Sequence, residues 1–361
     1  MTDRPIRVVA ASLSIALGIA AGSSSAWAAQ ARWALATNTT TSTVSVYAIT
    51  PGSGELTLHS TAAAVGGPGS VAVHPSGRYA YVATTDARTV ETFAIDRAAG
   101  TLTPVGSVPV PGTSSHPFAV AVEPLGRFVY VTSTGSSTIA GFWVRPLTGA
   151  LVPLPGFPVS TGLSPHEIVF DRLGRHAFVS NWGAGTISAY RLGWNGRLTP
   201  VAGSPFATTP HPEGLAVAPN GRFLYAAHGD NGLVSAFHVR SGGVLEAVAG
   251  SPFPVGLDPF GVATSRDGRT LYVSEPALEA VLMRRIDPAT GGLVAMSPSH
   301  VPAGNNVRTI RVDPSGRFLY AAAVFPSAIF AYTIDAAGVL APIAGSPYVT
   351  EPGLEGFALV R

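Results

Sequence analysis

Seven short segments of this chain carry side chains that could transfer protons or stabilise a negative charge. They read GPG (67–69), HPF (116–118), SPH (164–166), HPE (211–213), DPF (258–260), NVR (306–308) and GLE (353–355). Their ionisable members are His116, His166, His211, Glu213, Asp258, Arg308 and Glu355. Imidazole and carboxylate groups act as general acids and bases, and a guanidinium group can stabilise an oxyanion. If the fold brings these segments together, they predict a site for acid–base chemistry.

A repeated turn explains the spacing of these segments. The stretch HPSGRYAYV (74–82) places a Pro-x-Gly turn and an arginine before alternating apolar residues, and five variants of it follow. The turn glycines, 47 to 49 residues apart, are Gly77, Gly126, Gly174, Gly221, Gly268 and Gly316. A period of this length with several strand signals in each unit is typical of β-propeller blades.

The unit around Gly221 shows four strand signals, and the chain ends supply one further unit. The four signals are GLAVA (214–218), residues 222–227, LVSAFHV (233–239) and VLEAVAG (244–250). Residues 33–60 match the second to fourth strands of a unit, whose first strand is EGFALV (355–360). We therefore predict an all-β fold, a single seven-bladed β-propeller of four-stranded antiparallel blades over residues 29–361. The shared terminal blade would close it, whereas the alternative, an open solenoid, would leave a free sheet edge.

Residues that recur in every complete unit predict architecture rather than chemistry. An arginine follows each turn glycine, and an aromatic residue stands three positions further on, as in Arg78 and Tyr81. We expect the arginines to bind backbone carbonyls or carboxylates at the hairpins, and the aromatic residues to pack between facing sheets. GSPF and GSPY (203–206, 250–253, 345–348) predict turns that lead to the next blade.

The seven segments open the innermost strands, so their side chains should converge at one mouth of the central channel. A second set, three positions beyond the packing aromatic, contains Asn181, His228 and Glu275, and Trp182 follows Asn181 as a flat apolar wall. We expect this set to meet the first from further out. The predicted ligand-binding residues are His116, Asp258, Asn181, Trp182, His228, Glu275, Asn306 and Glu355. The alternative is that these side chains only bind water in an open channel.

Composition and missing motifs exclude several functions. Only 12% of residues are charged, the formal net charge is +2, and no cluster of basic residues occurs, so we expect no nucleic-acid partner. The chain contains no cysteine, and no P-loop, Gly-x-Ser-x-Gly or His-Glu-x-x-His motif. His166, His211, Glu213 and Asp258 are possible metal ligands, but their spacing fixes no coordination geometry. We expect neither a metal nor a cofactor.

The N-terminus predicts export. Arg4 and Arg7 precede an uncharged run over residues 8–22, and Ala26-Trp27-Ala28 has the pattern of a cleavage site. The run is short for a membrane span, which needs about 20 apolar residues. We expect a Sec-type signal peptide over residues 1–28, cleavage after Ala28, and a monomeric periplasmic or secreted protein without a membrane span.

The repeats resemble those of a known family. Units of the form xP-x-x-x-AV-xP-x-GR-F-x-YV, followed by TV-x-x-F-x-I and G-x-L-x-P-V-x-GSPF, resemble the seven-bladed lactonase family and related YVTN-type repeats over about residues 32–361. That family includes propeller-type 6-phosphogluconolactonase and carboxy-muconate cyclase. The resemblance implies a metal-free site of His, Arg and Glu side chains that opens or closes a lactone.

Two functional hypotheses follow from the sequence. In the first, a lactone or related cyclic ester is hydrolysed: Glu213 or His211 takes a proton from water, and Arg308 with His116 or His166 stabilises the oxyanion. The ligand would be a small lactone or a carbohydrate-like molecule. In the second, a non-catalytic propeller binds a glycan, a peptide or an envelope or extracellular protein, which export and low charge would suit.

Overall fold

Seven antiparallel β-sheets surround a central channel in the computed structural model, which describes residues 32–112 and 116–360. The inner strands of successive sheets contact one another around the full circle, and the last inner strand, Leu354–Val360, contacts the first, Pro68–Val73. The predicted all-β, seven-bladed propeller is confirmed. The predicted signal peptide over residues 1–28 lies outside the described residues.

Each blade begins at the channel and continues outward. Blade 1 consists of Pro68–Val73, Tyr79–Thr84, Thr89–Asp96 and Thr101–Pro109. Blade 2 consists of Pro117–Val122, Phe128–Ser133, Thr138–Val144, Leu151–Pro153 and Val159–Ser160. Blade 3 consists of Pro165–Phe170, His176–Asn181, Thr186–Leu192, Leu198–Pro200 and Phe206–Ala207. Blade 4 consists of Pro212–Val217, Phe223–His228, Leu233–Val239, Leu245–Ala247 and Phe253–Pro254.

The remaining blades follow the same plan. Blade 5 consists of Val262–Thr264, Thr270–Glu275, Ala280–Ile286 and Leu293–Pro302. Blade 6 consists of Asn305–Val312, Phe318–Phe325, Ala328–Ile334, Leu340–Pro342 and Tyr348–Val349. Blade 7 consists of Leu354–Val360, Trp33–Asn38, Thr43–Ile49 and Leu56–Ala63. Short 3₁₀ turns occupy Trp182–Ala184, Ser241–Gly243 and Pro276–Leu278.

The outer strand is divided in blades 2, 3, 4 and 6, where two short pieces both pair with the third strand. In blade 4 the pieces are Leu245–Ala247 and Phe253–Pro254. The GSPF prediction is therefore only partly right, because its Gly-Ser-Pro residues turn the chain but Phe253 begins the second piece instead of leading to the next blade. Val255, just beyond, packs into the hydrophobic core between blades 4 and 5.

The two termini close the ring as predicted. Trp33–Asn38 pairs antiparallel with Leu354–Val360, with Trp33 opposite Val360 and Ala36 opposite Phe357. Both strands are largely buried. The C-terminal strand therefore covers the edge that Trp33–Asn38 would otherwise leave free, through a hydrogen-bonded ladder whose register shifts between Ala36 and Asn38.

The repeated aromatic residues join neighbouring blades. Tyr81, Tyr130, Tyr225, Tyr272 and Tyr320 are fully buried, and each hydroxyl donates a hydrogen bond to a glycine carbonyl in a turn of the next blade. In blade 3 the equivalent residue is Phe178, which has no hydroxyl group. The predicted inter-sheet packing is confirmed, with a hydrogen bond that the sequence pattern alone did not indicate.

Candidate functional site

The backbone of the seven segments places the third residue of each toward the central channel or its mouth. The middle residue is buried, as Pro165 and Pro212 are, and the pairing of the inner strand with the second strand shifts after it. The residue before Pro165 and the residue before Pro212, Ser164 and His211, have φ values of 52° and 55°. This left-handed turn and the following shift leave the third residue, His166 or Glu213, facing the mouth.

A cavity of about 440 Å³ lies at this mouth, and we call it the cup. The cup is lined by Phe118, Thr134, Ser164, His166, Trp182, Glu213, Gly229, Asp230, Asp258, Phe260, Pro276, Asn306 and Arg308. Six of the residues singled out in the sequence belong to it: His166, Trp182, Glu213, Asp258, Asn306 and Arg308.

His166 and Glu213 form a hydrogen-bonded pair in the wall of the cup. His166 Nδ1 lies 2.6 Å from Glu213 Oε2, and both side chains are largely buried. A carboxylate beside Nδ1 accepts a hydrogen bond from Nδ1–H, so the lone pair of a neutral ring is on Nε2. Among the described residues, no group hydrogen-bonds His166 Nε2. The pair therefore has the arrangement of an oriented general base that faces a cavity.

Stacked rings hold His166 in place. Phe118 stacks on one face at 4.2 Å between ring centroids, and Trp182 lies nearly parallel to it at 5.7 Å. His211 in turn stacks on Trp182 at 4.3 Å. Trp182 therefore stacks on two histidine rings and also contributes to the wall of the cup.

His211 lies at the rim, outside the lining of the cup. Its Nδ1 lies 3.5 Å from Asp230 Oδ2, and Asp230 follows the second strand of blade 4. The Asp230 amide donates to Asp258 Oδ1 at 3.2 Å, so two carboxylates adjoin on this side of the cup. Sequence reasoning missed Asp230 because Asp-Asn-Gly is also an ordinary turn sequence.

Arg308 separates the cup from the central channel. Its Nε donates to Asn306 Oδ1 at 3.0 Å, its Nη1 donates to Glu355 Oε2 at 3.4 Å, and its guanidinium lies 5.6 Å from the Phe260 ring centroid. Burial raises the pKa of Glu355, and the charge of Arg308 opposes that rise. The channel, a cavity of about 340 Å³, shares Phe118, Phe260 and Arg308 with the cup, and Glu355 lines the channel only.

Asn181, His228 and Glu275, which were predicted to bind ligand, do not line the cup, because their side chains are fully buried behind it. Each one holds the segment that leads into the inner strand of its own blade. Asn181 Oδ1 accepts from the Gly162 amide at 3.1 Å, His228 Nδ1 contacts the Pro210 carbonyl at 3.2 Å, and Glu275 accepts from the amides of residues 257 and 258. Burial lowers the pKa of His228 to about 4 and raises that of Glu275.

His116 is exposed and is not part of the lining of the cup. Its backbone amide donates to Ser133 Oγ at 2.9 Å. Phe118, two residues later, occupies the wall instead and stacks on His166. The sequence correctly identified the segment as facing the mouth but selected the wrong residue within it.

Residues 32–112 and 116–360 contain neither a cluster of metal-ligating side chains nor a helix suited to a membrane span. Within these ranges, no three or more His, Cys, Asp or Glu side chains are placed so that they could hold a metal ion together. Within the same ranges, no helix has the length and apolar character needed to cross a bilayer.

Comparisons with known proteins agree on the architecture. A family model described as "Lactonase, 7-bladed beta-propeller" matches residues 26–115, 106–308 and 164–354. No curated protein matches the chain in sequence.

Solved structures extend this agreement over nearly the whole chain. A candidate 6-phosphogluconolactonase from Bacteroides uniformis is 21% identical with a TM-score of 0.80, covering 91% of this chain and 99% of that one. A similar candidate from Bacteroides fragilis is 19% identical with a TM-score of 0.80, covering 91% and 98%. The periplasmic gluconolactonase of Pseudomonas aeruginosa is 20% identical with a TM-score of 0.76, covering 91% and 99%. At these identities the likeness establishes a shared fold.

Proposed function

Because the chain belongs to the lactonase family of seven-bladed β-propellers, we propose that it hydrolyses a lactone or a related cyclic ester in the cup. The observation that carries this proposal is the His166–Glu213 pair, with Nδ1 of the imidazole held at 2.6 Å by a carboxylate and the ring facing a cavity. An imidazole oriented in this way is suited to take a proton from water. The structural neighbours described as lactonases support the same reaction class.

The proposed reaction uses one water molecule and returns every proton. His166 Nε2 takes a proton as the water oxygen attacks the lactone carbonyl, and Glu213 stabilises the imidazolium that forms. The carbonyl oxygen becomes an oxyanion, which an N–H of Arg308 stabilises. When the tetrahedral intermediate collapses, the bond to the ring oxygen breaks and His166 returns the proton to that oxygen, giving a hydroxy acid. These roles differ from the sequence hypothesis, in which Glu213 or His211 was the base.

A substitution at Glu213 tests this proposal. Glu213→Gln keeps the size of the side chain but removes the negative charge that stabilises the imidazolium, so we expect kcat/KM on a reactive lactone to fall about 10²–10⁴-fold. The measurement is the hydrolysis of a panel of five- and six-membered lactones by wild-type protein and variant.

His116→Gln is the matched control, because His116 opens an equivalent segment but lies outside the cup. Activity that survives Glu213→Gln would contradict the role of the pair. No activity of the wild-type protein across the panel, together with calorimetric binding of a glycan or peptide, would instead favour the non-catalytic alternative.

We also propose that the protein is exported. The charged start, the apolar run over residues 8–22 and the Ala26-Trp27-Ala28 pattern support this, and a structural neighbour is described as periplasmic. N-terminal sequencing of the protein from the periplasm or medium of an expressing bacterium should begin at Ala29. Recovery only from the cytoplasm, with residues 1–28 intact, would contradict export.

A further inference from the structure

The ionisable groups that line the cup are predominantly acidic. Glu213, Asp230 and Asp258 contribute three carboxylates, whereas Arg308 is the single guanidinium among the described lining residues. The chain contains no lysine at all. The cup therefore differs in charge from the protein as a whole, whose formal net charge is +2.

The positive charge of Arg308 is already engaged. Its Nη1 donates to Glu355 Oε2 at 3.4 Å and its Nε to Asn306 Oδ1 at 3.0 Å, while Phe260 lies against its guanidinium plane. Arg308 donates to these two acceptors and still has N–H groups that could bind one oxyanion. Its positive charge, however, is largely compensated by the carboxylate of Glu355. It does not form the multiple-cation site that a phosphate group usually needs.

The two aspartates on the other side of the cup are not compensated in this way. The Asp230 side chain is 74% exposed, with His211 Nδ1 3.5 Å away, and Asp258 Oδ1 accepts only a backbone N–H from Asp230 among the described residues. An anionic group on a ligand in this cavity would lie close to these two carboxylates and be repelled by them.

We propose that Asp230 and Asp258 make the cup selective for uncharged lactones and exclude lactones that carry a phosphate or carboxylate substituent. The proposal rests on the lactone hydrolysis proposed above and narrows its substrate class. Neutral hydroxyl groups could donate hydrogen bonds to the same two carboxylates, so the aspartates would both admit a polyhydroxylated neutral ring and repel its anionic derivative.

Binding of two matched ligands tests the proposal without turnover. Gluconolactam resists hydrolysis, and its 6-phosphate differs only in charge and one substituent. By calorimetry at pH 8 and low ionic strength, we expect wild-type protein to bind the neutral lactam at least about tenfold more tightly than the phosphate. Salt at 0.5 M should narrow the difference, because screening weakens repulsion between exposed charges.

The double variant D230N/D258N shows whether the two aspartates are responsible. We expect it to reduce the selectivity ratio about tenfold, chiefly by improving binding of the phosphorylated lactam. The ratio is used because a general loss of affinity cancels from it. Glu246→Gln is the control, because it removes one negative charge from the outer strand of blade 4, where the Glu246 side chain is exposed and does not line the cup.

The outcomes separate this proposal from the proposed reaction. Equal or tighter binding of the phosphorylated lactam to wild-type protein, or an unchanged ratio in D230N/D258N, would overturn the selectivity. Selective lactam binding without turnover of gluconolactone or any lactone in the panel would overturn the reaction and leave the selectivity standing. Failure to bind either lactam would overturn both for this ligand class, since the phosphate-free ring is the one the cup should accept.

Discussion

The propeller has two faces: the hairpin face, which carries the repeated Pro-x-Gly turns, and the cup face, which carries the cup. Polar residues have different roles on these two faces. On the hairpin face one arrangement recurs: Arg127, Arg222 and Arg317 lie 5.1 to 5.2 Å from the ring centroid of the next residue, and the guanidinium groups of Arg222 and Arg317 donate to turn carbonyls of the next blade. On the cup face, successive blades contribute different side chains to one cavity. A contact repeated around the ring stabilises each blade junction, whereas the proposed catalytic pair is needed once.

The largest expected effect comes from a substitution in the cup that lowers activity strongly but hardly changes the free energy of unfolding. Glu213→Gln, which should reduce kcat/KM about 10²–10⁴-fold, should change the free energy of unfolding by only about 1 kcal/mol, because the Gln amide oxygen can still accept a hydrogen bond from His166 Nδ1–H. Urea denaturation of the variant measures this. A large loss of stability would mean that the pair serves the fold as much as the site, and the two faces would then differ less than their geometry indicates.

The side chains buried behind the cup also make contacts that recur from blade to blade, although the residue types differ. His228 Nε2 lies 2.8 Å from Ser235 Oγ, and Asn181 Nδ2 donates to Ser188 Oγ at 2.9 Å at the equivalent place in blade 3. Asn38 donates to Ser45 Oγ in the same way in blade 7. The same structural position can therefore be filled by an amide or an imidazole.

The buried imidazole of His228 predicts how the free energy of unfolding depends on pH. The pKa of His228 is lowered to about 4 by burial, whereas an unfolded histidine titrates near 6.5. As pH falls from about 6.5 to 4, the unfolded chain binds a proton that the folded chain does not, so folding loses up to about 3 kcal/mol. His228→Asn should remove this part of the acid sensitivity, measured as the urea midpoint at pH 7 and pH 4.5.

Asn is the informative substitution here, because Asn181 and Asn38 already occupy this position. The variant and wild type should differ little at pH 7 and diverge in favour of the variant at pH 4.5. His238→Asn serves as the control, since His238 lies on the third strand of the same blade and is only half-buried. Parallel pH profiles for His228→Asn and wild type would show that His228 is not responsible.

The fold was predictable because repetition gives the same information many times. Six turn glycines and their flanking strands fix the blade period, and the unit divided between residues 33–60 and 355–360 fixes the closure. The cup was predictable only in part. A polar residue at the end of a strand can bond to its own loop or face the channel, and the sequence pattern around Asn181 or Glu275 is compatible with both.

The errors within the cup have physical reasons. A shift in strand pairing decides which residue of a three-residue segment faces the cavity. For this reason Phe118 lies in the wall of the cup, where His116 had been predicted. Asp230 stands in a loop whose Asp-Asn-Gly sequence also suits a turn, and only the position of Asp258 beside it reveals that it faces the cup. Such choices depend on contacts between blades, which a single repeat unit does not contain.

The smallest expected effect concerns one inter-blade hydrogen bond on the hairpin side. The Tyr225 hydroxyl donates to the Gly291 carbonyl at 3.1 Å, and both groups are buried. Tyr225→Phe removes the donor and leaves that carbonyl without its partner, so we expect about 1–2 kcal/mol of lost unfolding free energy and unchanged kcat/KM.

Blade 3 already carries Phe178 at this position, so the ring alone maintains the packing there. Phe178→Leu, which removes aromatic volume from a buried site, should cost at least as much stability. If Tyr225→Phe instead lowered turnover, the hairpin side and the cup would be coupled through the blade, and assigning repeated contacts to architecture alone would be wrong.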